Sequence, residues 1–129
     1  MGRLDSLQRF GAPTVRIGIA LVYLFFGFSQ LIDPARFTGW LPAEAAILPV
    51  SATTLILANG VLEVTLGLLL IAGIYTRLSA AVLGLHLLAI STSMGFTETA
   101  VRDFGLALAT LSVALTGPDV LCLDRKFTK

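Results

Sequence analysis

Leu55-Ile-Leu-Ala-Asn59-Gly-Val-Leu-Glu63-Val-Thr-Leu-Gly-Leu-Leu-Leu-Ile71 is the stretch that decides the fold. It is apolar over the length of a membrane helix, yet a carboxylate sits at its middle. A charged side chain at a bilayer centre costs roughly 2.5–3.5 kcal/mol on insertion scales, so Glu63 is expected to face a protein interior or a water-filled cavity. A helix of this kind needs partner helices to shelter its acid.

The surrounding sequence supplies them. The chain has 129 residues, of which 56% are hydrophobic and 13% charged, and its mean hydropathy is +0.89. Soluble domains carry about 25% charged residues, so the composition places this chain among integral membrane proteins. A spanning helix needs about 20 apolar residues. The hydropathy pattern predicts four, over residues 15–32, 53–74, 77–94 and 97–117. Asp33-Pro34 stops the first. Ser51 is placed to cap the second, Gly73 to close it and Thr76 to cap the third, and that short connection makes the second and third antiparallel neighbours. The fourth is the least marked: its apolar run, residues 104–115, is short, so the helix must begin near Thr97 and end at Gly117-Pro118. Arg102 and Asp103 are thereby drawn below the surface. The expected fold is all-α, a single-domain integral membrane four-helix bundle over residues 1–129. Ala80 with Gly84, Gly105 with Ala109, and Gly60 with Gly67 are the small residues expected at its helix contacts.

Leu4 and Leu7 lie at helical spacing ahead of the first span, as in a segment lying along the interface. The first span has a basic leader but no A-x-A site, and is expected to be retained. Arg3, Arg9, Arg16, Arg77, Arg125, Lys126 and Lys129 fall on one side of the four spans, against Arg36 and Arg102 on the other. The positive-inside rule then puts both termini in the cytoplasm, in a bacterial-type inner membrane, with Trp40 an interfacial anchor on the outer face. A net charge of +1 argues for no nucleic-acid partner. The single cysteine, Cys122, reads as a buried filler, with an intermolecular bridge or reactive thiol as the alternative.

Polar residues recur at helical periods. Asn59 and Glu63 share a face at i, i+4; Arg16, Tyr23 and Gln30 repeat every seven residues, as do Ser79, His86 and Ser93. The three stripes are expected to turn towards one another. Counting from the helix ends puts Tyr23, Glu63 and His86 near mid-depth, with Gln30, Asn59, Arg102 and Asp103 nearer the outer face. A quinone needs donors to its carbonyls and a proton exchanger, so Glu63, His86 and Tyr23 are the candidate catalytic groups. Arg102, Asp103, Gln30 and Asn59 are the candidate binding vestibule. The competing structural reading pairs Glu63 with Arg102 to pin the second helix against the fourth, makes His86 a hydrogen-bonded core residue and treats Arg102-Asp103 as ordinary capping. No metal-ligand spacing, phosphate loop or nucleophile triad is present, and one histidine cannot ligate haem from both sides except across a dimer.

Arg16 at the start of the first span, Phe26-Gly-Phe-Ser-Gln-Leu-Ile-Asp-Pro34 at its end, Gly60-Val-Leu-Glu63, Gly67-Leu-Leu-Leu-Ile-Ala-Gly73, Thr76-Arg77, Val101-Arg-Asp103 and Leu123-Asp-Arg125 follow in an order that resembles the DoxX family of small four-helix membrane proteins. One departure is Gln30, where members often carry lysine. The family is named for the small membrane subunit of a thiosulfate:quinone oxidoreductase. The resemblance therefore implies a membrane subunit or partner of a quinone-linked oxidoreductase, with quinone the cofactor and other subunits the partners, rather than a stand-alone enzyme. Two rivals remain: a non-catalytic structural or assembly subunit of a larger respiratory membrane complex, and a small proton-coupled exporter. Small multidrug exporters are also four-helix proteins of this length, but their essential glutamate lies in the first helix, whereas Glu63 is in the second.

Overall fold

A computed structural model of the chain describes residues 3–127. Lys129, one of the basic residues weighed for orientation, lies outside them. Every regular element among the described residues is helical. Four long helices form the body: α1 (Gly11–Ile32), α2 (Ala52–Ala72), α3 (Thr76–Ser93) and α4 (Glu98–Thr116). Three stretches, Arg3–Ile32, Ala52–Ala72 and Glu98–Thr116, are long and apolar enough to cross a membrane. The 18-residue α3, which carries Arg77 and His86, is not among them.

The first helix starts earlier than residue 15, because Pro13 lies in its opening turn, where a missing N–H costs no hydrogen bond. Before it run a short α-turn, Arg3–Leu7, and a 3-10 turn, Gln8–Phe10, with Leu4 and Leu7 exposed. Ser51 caps α2 as expected, its Oγ accepting the Thr54 N–H at 3.1 Å. Thr97 caps α4 in the same way, accepting from Ala100 at 3.0 Å.

Close packing pairs α1 with α2 and α3 with α4, while the seam between the two pairs is looser. Adjacency in sequence therefore makes α2 and α3 neighbours without making them the closest pair. The reason is where the small residues lie. A Cβ on Gly27 would meet the Val64 side chain at 2.8 Å, and one on Gly60 would meet the Gly27 carbonyl at 3.0 Å, so these glycines let α1 and α2 touch backbone to backbone. On the other pair, a Cβ on Gly84 would lie 2.7 Å from Leu111. Gly105, expected at a helix contact, has nothing within 4 Å of its Cβ position and is exposed. Ser93 also leaves its expected stripe: it is exposed and donates to the Ile90 carbonyl of its own helix.

At one end of the bundle the helix termini are closed by residues from other elements. The last four carbonyls of α2 lack intrahelical donors, and all are satisfied. Gly73, at φ +75°, turns the chain so that Ile74 N–H reaches the Leu69 carbonyl and Gly73 N–H the Leu70 carbonyl. Arg16 donates from Nη1 to the Leu70 and Ile71 carbonyls, each at 2.8 Å, and Leu123 N–H reaches the Ala72 carbonyl. The Arg16 guanidinium, 1% exposed, is bidentate to Asp119 at 2.7 and 3.3 Å. Thr76 does not cap α3. The cap is Asp124, whose carboxylate accepts from Tyr75 N–H, Thr76 N–H and the Thr76 hydroxyl at 2.8–2.9 Å. Arg77 donates to the Ala114 and Leu115 carbonyls at the end of α4. Cys122 is buried against Gly73, as a filler would be. The start of α1 and the tail thus meet at this end, and the 33–50 connection lies at the other.

Candidate functional site

The 33–50 connection is not an extended loop. It forms two 3-10 turns, Pro34–Trp40 and Ala43–Ile47, the first of which packs on α1 and α2. Beneath it, in the loose seam between the two helix pairs, is a cavity of about 610 Å³. Phe37, Trp40 and Leu48 of the connection and Phe26, Ile56 and Leu106 of the helices give it apolar walls. Trp40, expected as an interfacial anchor, is half exposed and also lines this space.

Tyr23, Gln30, Asn59, Glu63, His86, Arg102 and Asp103, the candidate site residues, all border the cavity. Helical period explains their convergence. Tyr23 and Gln30 are seven residues apart on α1, Asn59 and Glu63 four apart on α2, and each pair projects from one face of its helix.

The hydrogen bonds regroup them. Glu63, 6% exposed, accepts from Gln30 Nε2 at 3.2 Å through one carboxylate oxygen and from Asn59 Nδ2 at 3.1 Å through the other. Asn59 Nδ2 also donates to Gln30 Oε1 at 2.7 Å, and Asn59 Oδ1 is hydrogen-bonded to His86 Nε2. A continuous polar chain therefore runs from α3 through α2 to α1, and it merges Gln30 and Asn59 of the expected vestibule with Glu63 and His86 of the expected core. Tyr23 stands outside it. Its hydroxyl is 2.9 Å from Thr110 Oγ1, and Thr110 donates its own proton to the Leu106 carbonyl at 2.8 Å, so the phenol is the donor. Tyr23 contributes its ring to the wall while its proton is engaged on α4.

The expected Glu63–Arg102 pair is not formed. Arg102 contacts Asp103, Nε to Oδ1 at 3.5 Å, with the arginine side chain 63% exposed and the aspartate 17% exposed. Consecutive positions on a helix diverge by ~100°, so Asp103 turns inward and Arg102 turns out at the mouth. Two neutral amides, Gln30 from α1 and Asn59 one turn away on α2 itself, take up the carboxylate instead. Neither residue caps α4, since Thr97 does.

Three partners were not legible as such: Thr110, Asp119 and Asp124. Thr110 is a single hydroxyl in an apolar helix, with nothing in its spacing to link it to Tyr23. The two aspartates lie in the tail, where only the folded chain brings them to Arg16 and Thr76. Among the described residues no group of three or more His, Cys, Asp or Glu side chains is arranged to hold a metal ion.

A family model described as DoxX matches residues 11–95, which contain α1, α2, α3 and five of the seven polar residues bordering the cavity, Tyr23, Gln30, Asn59, Glu63 and His86. No curated protein and no solved structure matches the chain.

Proposed function

The chain belongs to the DoxX family, and from that premise we propose that it is the membrane subunit or partner of a quinone-linked oxidoreductase, with the cavity receiving the quinone head group. The observation that carries this reading is the meeting of Gln30, Asn59, Glu63 and His86 in one hydrogen-bonded chain on the wall of an otherwise apolar space. A cavity of about 610 Å³ is of the size that holds small ligands, apolar walls suit a ring, and a few convergent polar groups orient it. The amide N–H of Gln30 would face a ring oxygen, His86 would line the space beside the head group, Glu63 would hold or release a proton, and Arg102 with Asp103 would stand at the entrance. Tyr23 would act as wall rather than donor. The bound quinone supplies the redox chemistry; the chain binds, orients and exchanges protons.

In the same proposal α3 spans the membrane as well. Its 18 residues reach about 27 Å, close to the ~27 Å hydrocarbon thickness of thin bilayers. With four spans the basic residues at the clamped end, Arg77, Arg125 and Lys126 among them, face the cytoplasm of a bacterial-type inner membrane, and the cavity opens towards the other side.

The test is native mass spectrometry of the protein gently extracted from its own membrane, scanning for quinone and for partner subunits. Quinone that co-purifies with wild type and is lost in Glu63→Gln supports the reading. A stoichiometric partner complex with no quinone on this chain, unchanged by Glu63→Gln, would replace it with the structural-subunit reading.

A further inference from the structure

The direction of each hydrogen bond in the chain is set by its neighbours, and together they leave His86 one role. Glu63 accepts at both oxygens, as a carboxylate does. Its Oε2 takes a hydrogen from Gln30, which turns Gln30 Oε1 towards Asn59. Asn59 Nδ2 has two hydrogens and spends one on Gln30 Oε1 and the other on Glu63 Oε1. Turning the Asn59 amide over would set its oxygen against two acceptors at once. Its Oδ1 must therefore face His86, and an amide oxygen only accepts. So Nε2 of His86 carries the proton, and in the neutral ring Nδ1 is left with a lone pair. Among the described residues Nδ1 makes no hydrogen bond, and the ring lies on the cavity wall.

We infer that His86 Nδ1 is the hydrogen-bond acceptor the cavity presents to its ligand, that Asn59 and Glu63 act through the ring to hold it so, and that the group it takes is a ring hydroxyl, as on a quinol, rather than a quinone carbonyl. A carbonyl opposite Nδ1 would bring two acceptors together, whereas a phenolic hydroxyl completes the chain from ligand through His86 and Asn59 to Glu63. Asn59 is a positioning residue: it touches His86 and Glu63 and fixes which ring nitrogen is protonated. The choice of a quinol-type ligand rests on the quinone reading of the cavity; the assignment of the acceptor does not.

The chain has a single histidine, so ring-labelled [15N]histidine reports His86 alone. In the purified protein without ligand, the nitrogen spectrum is expected to show the neutral ring protonated at Nε2. Protonation at Nδ1, or an even mixture, would overturn the assignment, and this reading needs no variant. Asn59→Leu removes the amide oxygen and is expected to turn the single form into a mixture; a variant that keeps wild-type Nε2 protonation would remove Asn59 from its role. Under anaerobic conditions a short-chain p-benzoquinol is expected to shift the Nδ1 resonance, and the matching p-benzoquinone to leave it in place. One hydrogen bond is worth roughly five- to tenfold in affinity, so Asn59→Leu is expected to weaken quinol binding by about that factor and quinone binding much less. Equal shifts from both ligands would overturn the hydroxyl preference. If neither ligand binds, the quinone reading and the quinol choice fall together, while the ligand-free spectrum still decides the acceptor.

Discussion

Arg16 and Asp119 are the residues on which the clamped end depends. Both side chains are buried, and the guanidinium is shared between a carboxylate and two carbonyls of α2. Removing one partner of a buried ion pair leaves an uncompensated charge and costs about 3–5 kcal/mol, whereas replacing both with apolar residues costs much less. Asp119→Leu alone is therefore expected to lower thermal stability in detergent strongly, with the double variant Arg16→Leu, Asp119→Leu recovering part of the loss; equal losses would show that the pair is not coupled. Burial alone would raise the Asp119 carboxyl. The Arg16 and Leu121 hydrogen bonds and the guanidinium charge outweigh it and hold the group below the usual carboxylate range. A depressed carboxyl lends stability that is fully present above its unfolded value, about 3.9, and is lost as pH falls through its lower folded value. The clamp should thus be insensitive to pH near neutrality and loosen only below about pH 4, and that acid-induced loss should shrink in Asp119→Asn. Heptad spacing marked Arg16 as belonging with Tyr23 and Gln30, and all three are buried. Its partner was not legible, because Asp119 is more than a hundred residues away and follows a Gly-Pro break that hides its direction.

At the scale of an element, α3 begins on a cap supplied from outside it. Tyr75, at φ +49°, has no side-chain cap bond to offer, and the Asp124 carboxylate satisfies the first two N–H groups while meeting the positive end of the helix dipole. The Asp124 carboxyl is pushed up by partial burial and pulled down further by Thr76 and Tyr75, so it stays ionised at neutral pH. Asp124→Ala is expected to cost about 0.5–2 kcal/mol, the usual worth of an N-cap. The loss should appear as faster amide exchange at Tyr75 and Thr76, with the α2 amides near Glu63 unchanged; uniform acceleration across the chain would mean the tail holds the whole bundle rather than one terminus. Local caps were legible where donor and acceptor lie three residues apart, as at Ser51. They were not where the cap comes from the tail, since Thr76 has the composition of an N-cap and only the fold shows it donating.

The whole molecule has two unlike ends. Glycine contacts bind α1 to α2 and α3 to α4, the tail and Arg16 lock the pairs together at one end, and the pairs part at the other around the cavity. Stability and ligand space are thereby separated along the bundle axis. Leu62→Trp, which adds ring bulk to the cavity wall, is expected to reduce co-purifying ligand while leaving the melting temperature of the ligand-free protein within a few degrees of wild type. A large fall in that temperature would mean the cavity is part of the folded core and has no room to fill.

Composition and periodicity alone established that the chain enters the membrane, that it is helical, where its helices begin and end within a few residues, and that Glu63 must be sheltered. Those properties follow from local hydropathy and from hydrogen bonds spanning three or four residues. Which helices pack closely, which amide meets which oxygen, and which tail acid closes which helix were decided only by tertiary structure. Each depends on groups 27 to 103 positions apart, such as Asn59 with His86 and Arg16 with Asp119, whose meeting no local spacing encodes.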